Sequence, residues 1–220
     1  MHGTTGLYHF AVLVPTRLEL AQSLRRFVDT TTPMQGFADH GVSEALYLAD
    51  PDGNGIEVYR DRPKSEWPTV GGRLQMGTAP LDVEALLEEL GDHPDPWAGL
   101  ASHTRIGHVH LHVSHLPDAE QFYVQALGFD LMQRYGHAAL FVSAGGYHHH
   151  VGLNTWIGEG APPPPHGAIG LRHFVLRLPA ASALDEVAGR LRDASIAVES
   201  LGRGLLVRDP SDNAILLTAE

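Results

Sequence analysis

An α+β fold of tandem β-α-β-β-β units is what this sequence predicts, and three observations carry the prediction. A strand-like apolar run bearing histidine recurs three times. It reads Leu7-Tyr8-His9-Phe10-Ala11-Val12-Leu13-Val14, then Arg105-Ile106-Gly107-His108-Val109-His110-Leu111-His112-Val113, then Leu171-Arg172-His173-Phe174-Val175-Leu176. Each run precedes a segment with apolar residues at helical spacing, followed by three short alternating stretches. The first and third copies also share a turn, Asp50-Pro51-Asp52-Gly53-Asn54 and Asp209-Pro210-Ser211-Asp212-Asn213.

In the first copy, Pro15 and Thr16 open a helix whose apolar face includes Leu18, Leu20 or Ala21, Leu24 and Phe27. Strands are expected over 35–42, 43–49 and 55–61. The last two are joined by a turn in which Pro51 presets φ while Gly53 and Gly55 permit positive φ. Side-chain alternation sets Ile56 and Val58 against Glu57 and Tyr59, and Leu46 and Leu48 against Tyr47. If the apolar sides pack on the helix, Tyr47 and Glu57 project together on the other face. An inward carboxylate needs a partner, because an unpaired buried charge is very costly. With 15 histidines in the chain, a metal ion is the first partner to test.

A connecting segment over 63–104 holds an amphipathic helix at 81–90, stopped by Gly91 and Pro94. In the second copy, Ile106, His108, His110 and His112 share a strand face. A helix over 117–127 buries Leu116, Phe122 and Leu127 and stops at Gly128. Strands follow at 129–135, 138–143 and 147–156, the last beginning with His148-His149-His150. A linker over 158–170, stiffened by four prolines, leads to the third copy. There a helix at 181–192 precedes strands near 196–200, 204–208 and 214–218. Leu216 stands where Glu57 stands in the first copy, so the third copy has lost its carboxylate.

Composition is that of a globular protein able to bury a core, 43% hydrophobic and 19% charged. Without cysteine there are no disulfides and no thiolate metal sites. A net charge of −11 argues against nucleic acid or anionic membrane as partner. No signal-peptide pattern stands out, and no apolar run reaches the roughly 18 residues of a spanning helix. A cytoplasmic protein is expected.

These repeats resemble the vicinal oxygen chelate superfamily, which includes glyoxalase I, bleomycin-resistance proteins and type I extradiol dioxygenases. Residues 39–57 resemble the extradiol motif: His40, five residues, Leu46-Tyr47, two residues, Asp50-Pro51-Asp52-Gly53, three residues and Glu57. The phrase Gly145-Gly146-Tyr147-His148-His149-His150-Val151-Gly152-Leu153-Asn154-Thr155-Trp156 fits the catechol-2,3-dioxygenase-like branch. The resemblance implies cup-shaped mixed sheets, with modules at 7–62, 105–157 and 171–220, the third degenerate.

Such modules pair, and residues 1–6 resemble the family's linker into a second module, so a preceding module is expected to be missing. The third module would then expose an edge and an apolar face that favour a homo-oligomer or destabilise the chain.

The resemblance also implies roles. His9, Glu57 and His108 would be a two-His-one-carboxylate triad on Fe(II), with Mn(II) the alternative, leaving open positions for a small aromatic diol and O2. His40 and Tyr47 would hydrogen-bond the substrate. His149 would be the acid/base group, since a catechol must lose protons to chelate and a later intermediate must regain one.

Taken singly, His9 reads as an ordinary core histidine and Glu57 as a solvated strand residue; their joint occurrence at equivalent repeat positions is what points to a site. Strand alternation alone favours His150 over His149 inside the cup. The family pattern favours His149 and requires an irregularity where that strand starts. The expected activity is extradiol ring cleavage. The alternatives are a glyoxalase-type isomerase or lyase, disfavoured by histidines where a second carboxylate is expected, and a binding protein without catalysis.

Overall fold

The computed structural model describes residues 3–92 and 96–219. Pro94, one of the expected helix stops, lies outside the described residues. The chain divides into two compact units, Tyr8–Val109 on one hand and Met1–Leu7 with His110–Glu220 on the other.

In the unit Tyr8–Val109, β1 (Gly6–Leu13) leads to α1 (Arg17–Asp29), β2 (Met34–Asp39), β3 (Ser43–Ala49) and β4 (Gly55–Asp61). Thr16 caps α1 by accepting from the Glu19 amide, and its hydroxyl donates to the Glu19 carboxylate, which fixes the helix start. Leu20, Ala21 and Leu24 are buried and pack on Leu46, Leu48 and Val58. Leu18, expected on this face, falls at the edge of the stripe and is exposed. The opposite face of the sheet gathers Ala11, Leu13, Ala45 and Tyr59, with Tyr47 against them. The alternation read from the sequence thus separates two environments.

Strands β2, β3 and β4 form an antiparallel meander, and β1 lies parallel to β4, so the sheet is mixed. β2 ends at Asp39, three residues before expectation, because Gly41 turns at φ +76° and its amide is capped by Asp39 Oδ1. Two short strands, β5 (Thr69–Val70) and β6 (Arg73–Leu74), form a hairpin in the connecting segment. Helix α2 (Val83–Glu88) is shorter than expected, beginning where Asp82 accepts from the Ala85 amide. Strand β7 (Arg105–His112) follows, and β1 lies between it and β4.

In the second unit, α3 (Leu116–Glu120) widens at Gln121–Ala126 into a π-turn. A regular helix through residue 127 was expected. Gly128, at φ +88°, ends the segment, and Arg190 donates to the Ala126 and Leu127 carbonyls at 3.2 and 2.9 Å. A Cβ at Gly128 would press on that guanidinium. Strands β8 (Asp130–Tyr135), β9 (Ala139–Ser143) and β10 (Val151–Asn154) are antiparallel. β10 is much shorter than the expected 147–156, so the three consecutive histidines precede it.

The third module comprises β11 (Phe174–Leu178), α4 (Ala181–Asp193), β12 (Val198–Leu201), β13 (Gly204–Arg208) and β14 (Ala214–Ala219). Its sheet runs β11-β14-β13-β12, with β11 parallel to β14. This is the β-α-β-β-β order again, although β11 begins only at Phe174 and leaves His173 ahead of the strand.

Candidate metal centre

Strand register delivers the first module's carboxylate. Tyr47 pairs with Glu57 across β3 and β4, and Ala11 pairs with Glu57 across β1 and β4. Two residues earlier on β1, His9 lies opposite Gly55. Gly55 has to be glycine, because a Cβ there would collide with the Tyr8 carbonyl and crowd the His9 Cβ. Gly107, the residue before His108 on β7, meets the same demand, since a Cβ would strike the Tyr59 hydroxyl. Both glycines let a histidine-bearing strand settle against its neighbours.

The result is that His9, Glu57 and His108 converge. His9 Nε2 lies 3.0 Å and His108 Nε2 3.2 Å from Glu57 Oε2. One ligand atom from each residue falls within 4.8 Å of the others, and all three residues are buried. Burial alone would raise the Glu57 carboxyl, but His108 and His9 beside it hold it well below the usual range. The acid is therefore a carboxylate at neutral pH.

Two imidazole nitrogens and a carboxylate oxygen converging from three neighbouring strands suit a divalent cation, and one facial set of three leaves further positions open. The donor set fits a metal, with nitrogen and oxygen ligands only.

His40 and Tyr47 are also brought together. His40 Nε2 lies 2.7 Å from the Tyr47 hydroxyl, and His40 Nδ1 lies 2.8 Å from the Gly77 carbonyl. The Tyr47 ring lies 5.7 Å from that of His9. Burial first, and then Glu57, push the Tyr47 phenol far upward, so it stays protonated and able to donate. Tyr8 is raised by the same two causes.

His149 belongs to the other unit. It is buried, its Nδ1 lies 2.8 Å from His148 Nδ1, and its ring meets Phe141 edge-on at 4.9 Å. His150 turns to the Ser143 hydroxyl at 2.8 Å. Because the histidines precede β10, the alternation that favoured His150 does not apply to them.

Two features of the first unit had no sequence signal. Glu44 is buried on β3 and accepts from Arg60 at 2.7 Å, Arg17 at 3.0 Å and Arg62 at 3.3 Å. Arg62 also grips Asp39 at 2.7 Å; burial would raise that carboxyl, but the Gly41 amide and then Arg62 hold it below its usual range. The second feature is the Gly77 carbonyl, a backbone atom in a stretch the sequence offered only as loop.

A profile of the Glyoxalase/Bleomycin resistance protein/Dioxygenase superfamily matches residues 105–215. The chain is 50% identical over 214 residues to a catechol-2,3-dioxygenase of Bacillus subtilis, covering 96% of this chain and 74% of that protein. Among solved structures, a putative dioxygenase from Bacillus subtilis superposes with a TM-score of 0.65 at 13% identity. The match covers 99% of this chain and 62% of that one, a likeness of fold. No helix among the described residues is long and apolar enough to cross a membrane.

Proposed function

The chain belongs to the Glyoxalase/Bleomycin resistance protein/Dioxygenase superfamily, and we propose that it is an extradiol dioxygenase that cleaves a catechol with O2. The observation that carries this reading is the buried His9–Glu57–His108 cluster in a chain half identical to a catechol-2,3-dioxygenase. Fe(II) is the proposed metal and Mn(II) the alternative. The substrate class is a small aromatic diol.

When bound, the metal would supply Lewis acidity to a chelating catechol and a place for dioxygen beside it. The chain's own residues do the rest. His9, Glu57 and His108 hold the ion. Their burial keeps bulk water from the ligand atoms. Tyr47, kept protonated by burial and by Glu57, offers its hydroxyl to a substrate oxygen, and His40 backs that hydroxyl. His149 is proposed as the group that takes and returns a proton, a task matched to an imidazole. Both atoms of O2 end in the product, and the ring bond beside the two hydroxyl-bearing carbons breaks.

The test is oxygen uptake by anaerobically purified chain reconstituted with Fe(II) and given catechol or an alkylcatechol. Uptake with a yellow ring-fission product is expected. Glu57→Ala should abolish both uptake and metal retention. His149→Phe should retain the metal and lose roughly 100-fold or more in kcat. Metal binding without uptake on any catechol would overturn the dioxygenase reading, and failure to bind metal would overturn the ligand assignment.

A further inference from the structure

Residues 75–79, in the connecting segment, do more than join two modules. Asp39 and Ala79 exchange backbone hydrogen bonds at 2.9 Å each way, and the Gly77 amide donates to the His40 carbonyl at 3.2 Å. The Gln75 amide reaches the Pro68 carbonyl at 2.9 Å, and the Met76 side chain is buried. Pro68 in turn packs so close to Gly41 that a Cβ at 41 would lie 2.9 Å from its ring. The turn that carries His40 is thus held by Asp39, which caps the Gly41 amide and is gripped by Arg62, and by this added segment.

The consequence falls on the imidazole. A backbone carbonyl can only accept, so the 2.8 Å contact with Gly77 requires the proton on His40 Nδ1. In a neutral ring Nε2 is then a lone pair, and it faces the Tyr47 hydroxyl at 2.7 Å. His40 Nε2 is then one acceptor within reach of the Tyr47 hydroxyl, beside the Glu57 carboxylate and an incoming substrate oxygen. Because a hydroxyl can donate or accept, the contact with Tyr47 would not by itself choose between the two tautomers.

We propose that the segment 75–79 is a positioning element of the catalytic site, in which the Gly77 carbonyl sets His40 as the Nδ1–H tautomer and turns Nε2 to Tyr47. The kinetic consequence rests on the dioxygenase reading; the structural one does not. Gly77 acts through His40 and touches no substrate.

The experiment uses the full chain labelled with 15N-histidine, its metal site filled with diamagnetic Zn(II). Long-range proton–nitrogen spectra, with His40 identified by its absence in His40→Gln, report which nitrogen carries hydrogen. A protonated Nδ1 is expected, and a protonated Nε2 overturns the proposal. Gly77→Pro deletes the amide that holds the segment to His40. It should mix the tautomers and lower kcat of the Fe(II)-loaded enzyme roughly 10- to 100-fold, with metal content and KM little changed.

A folded Gly77→Pro with wild-type spectrum and kcat overturns the proposal. Should Gly77→Pro fail to fold, the wild-type spectrum and Ala79→Pro, which deletes the amide to Asp39, decide the matter by the same readouts. Should the chain turn over no catechol, the dioxygenase reading fails while the spectrum still decides the positioning role.

Discussion

The turn Asp50–Asn54 and the turn Asp209–Asn213 have the same wiring in opposite surroundings. In each, the aspartate Oδ1 accepts two amides, from residues two and four positions on, and Oδ2 accepts from the asparagine side chain. In each, the fourth residue sits in the left-handed region, Gly53 at φ +85° and Asp212 at +67°. The first turn is largely exposed. In the second, Asp209, Ser211 and Asn213 are buried, with Tyr123 donating to Asp209 at 3.1 Å, Thr5 donating to the Ser211 carbonyl and the Ser114 amide to the Ser211 hydroxyl, both at 2.8 Å.

Beyond the turns, Glu57 meets two histidines while Leu216 lies between Val175 and Leu206 in its sheet. One local motif serves a site in one module and a latch in another. The turn by itself therefore carries no function; the residue three positions after its asparagine does.

The largest expected effect comes from giving the first module the third module's residue. Glu57→Leu should take metal content and oxygen uptake to background. Its thermal midpoint in metal-free buffer should fall, because His9 and His108 lose the carboxylate they pair with in a buried place. The converse, Leu216→Glu, should add no metal to the stoichiometry, because His173 precedes β11 and β14 is the neighbour that strand has. A second metal per chain in that variant would break the comparison.

Next in size is the loss of each aspartate. Asp209→Ala leaves the Ser211 and Asn213 amides, the Asn213 side chain and the Tyr123 hydroxyl without their acceptor in a buried place. A loss of about 1–3 kcal/mol is expected by denaturant melt. Asp50→Ala exposes the same donors to water and should shift the midpoint far less. Equal losses would mean that burial is not what separates the two turns.

How much of this was legible follows from what a sequence encodes. The bounds of β3 and β4 and the split of Leu46, Leu48 and Val58 from Tyr47 and Tyr59 came from alternation, which fixes faces directly. The convergence of His9, Glu57 and His108 could be anticipated from the resemblance to the extradiol motif, which the repeats alone would not have assigned.

Gly77 could not be anticipated, because a carbonyl has no side-chain signature and the segment comes back beside β2 through main-chain bonds. Nor could the Glu44 cluster, whose three arginines come from α1, β4 and the residue after β4. The π-turn at Gln121–Ala126 keeps Phe122 and Leu127 buried, as a regular helix would also be expected to, so the apolar spacing could not tell the two apart. His148–His150 read as strand because β-propensity does not report where pairing begins.

The smallest expected effect is also the one that tests the electrostatics of the comparison. Burial raises the Asp209 carboxyl above its ordinary 3.8, although bonds from Asn213, Ser211 and Tyr123 pull the other way. Asp50 is lowered from the same value, chiefly by the Asn54 side chain and amide. Native Asp209 therefore holds its proton to higher pH than the unfolded chain does. Its linked contribution is complete below the unfolded value and is lost as pH rises through the native one. For Asp50 the sign reverses: the contribution is complete above the unfolded value and is lost as pH falls through the native one.

On acidification toward pH 4, the stability gap between wild type and Asp209→Ala should widen while the gap to Asp50→Ala stays level, because its change lies below the unfolded value of 3.8. Tyr123→Phe sharpens this further. It removes one of the donors that lower Asp209, so the native carboxyl rises and the widening should begin at higher pH. The fold should lose about 0.5–1.5 kcal/mol at neutral pH. Denaturant melts of the four proteins between pH 4 and 7 measure all of this, and gaps that move in parallel would show that the two aspartates titrate alike despite their surroundings.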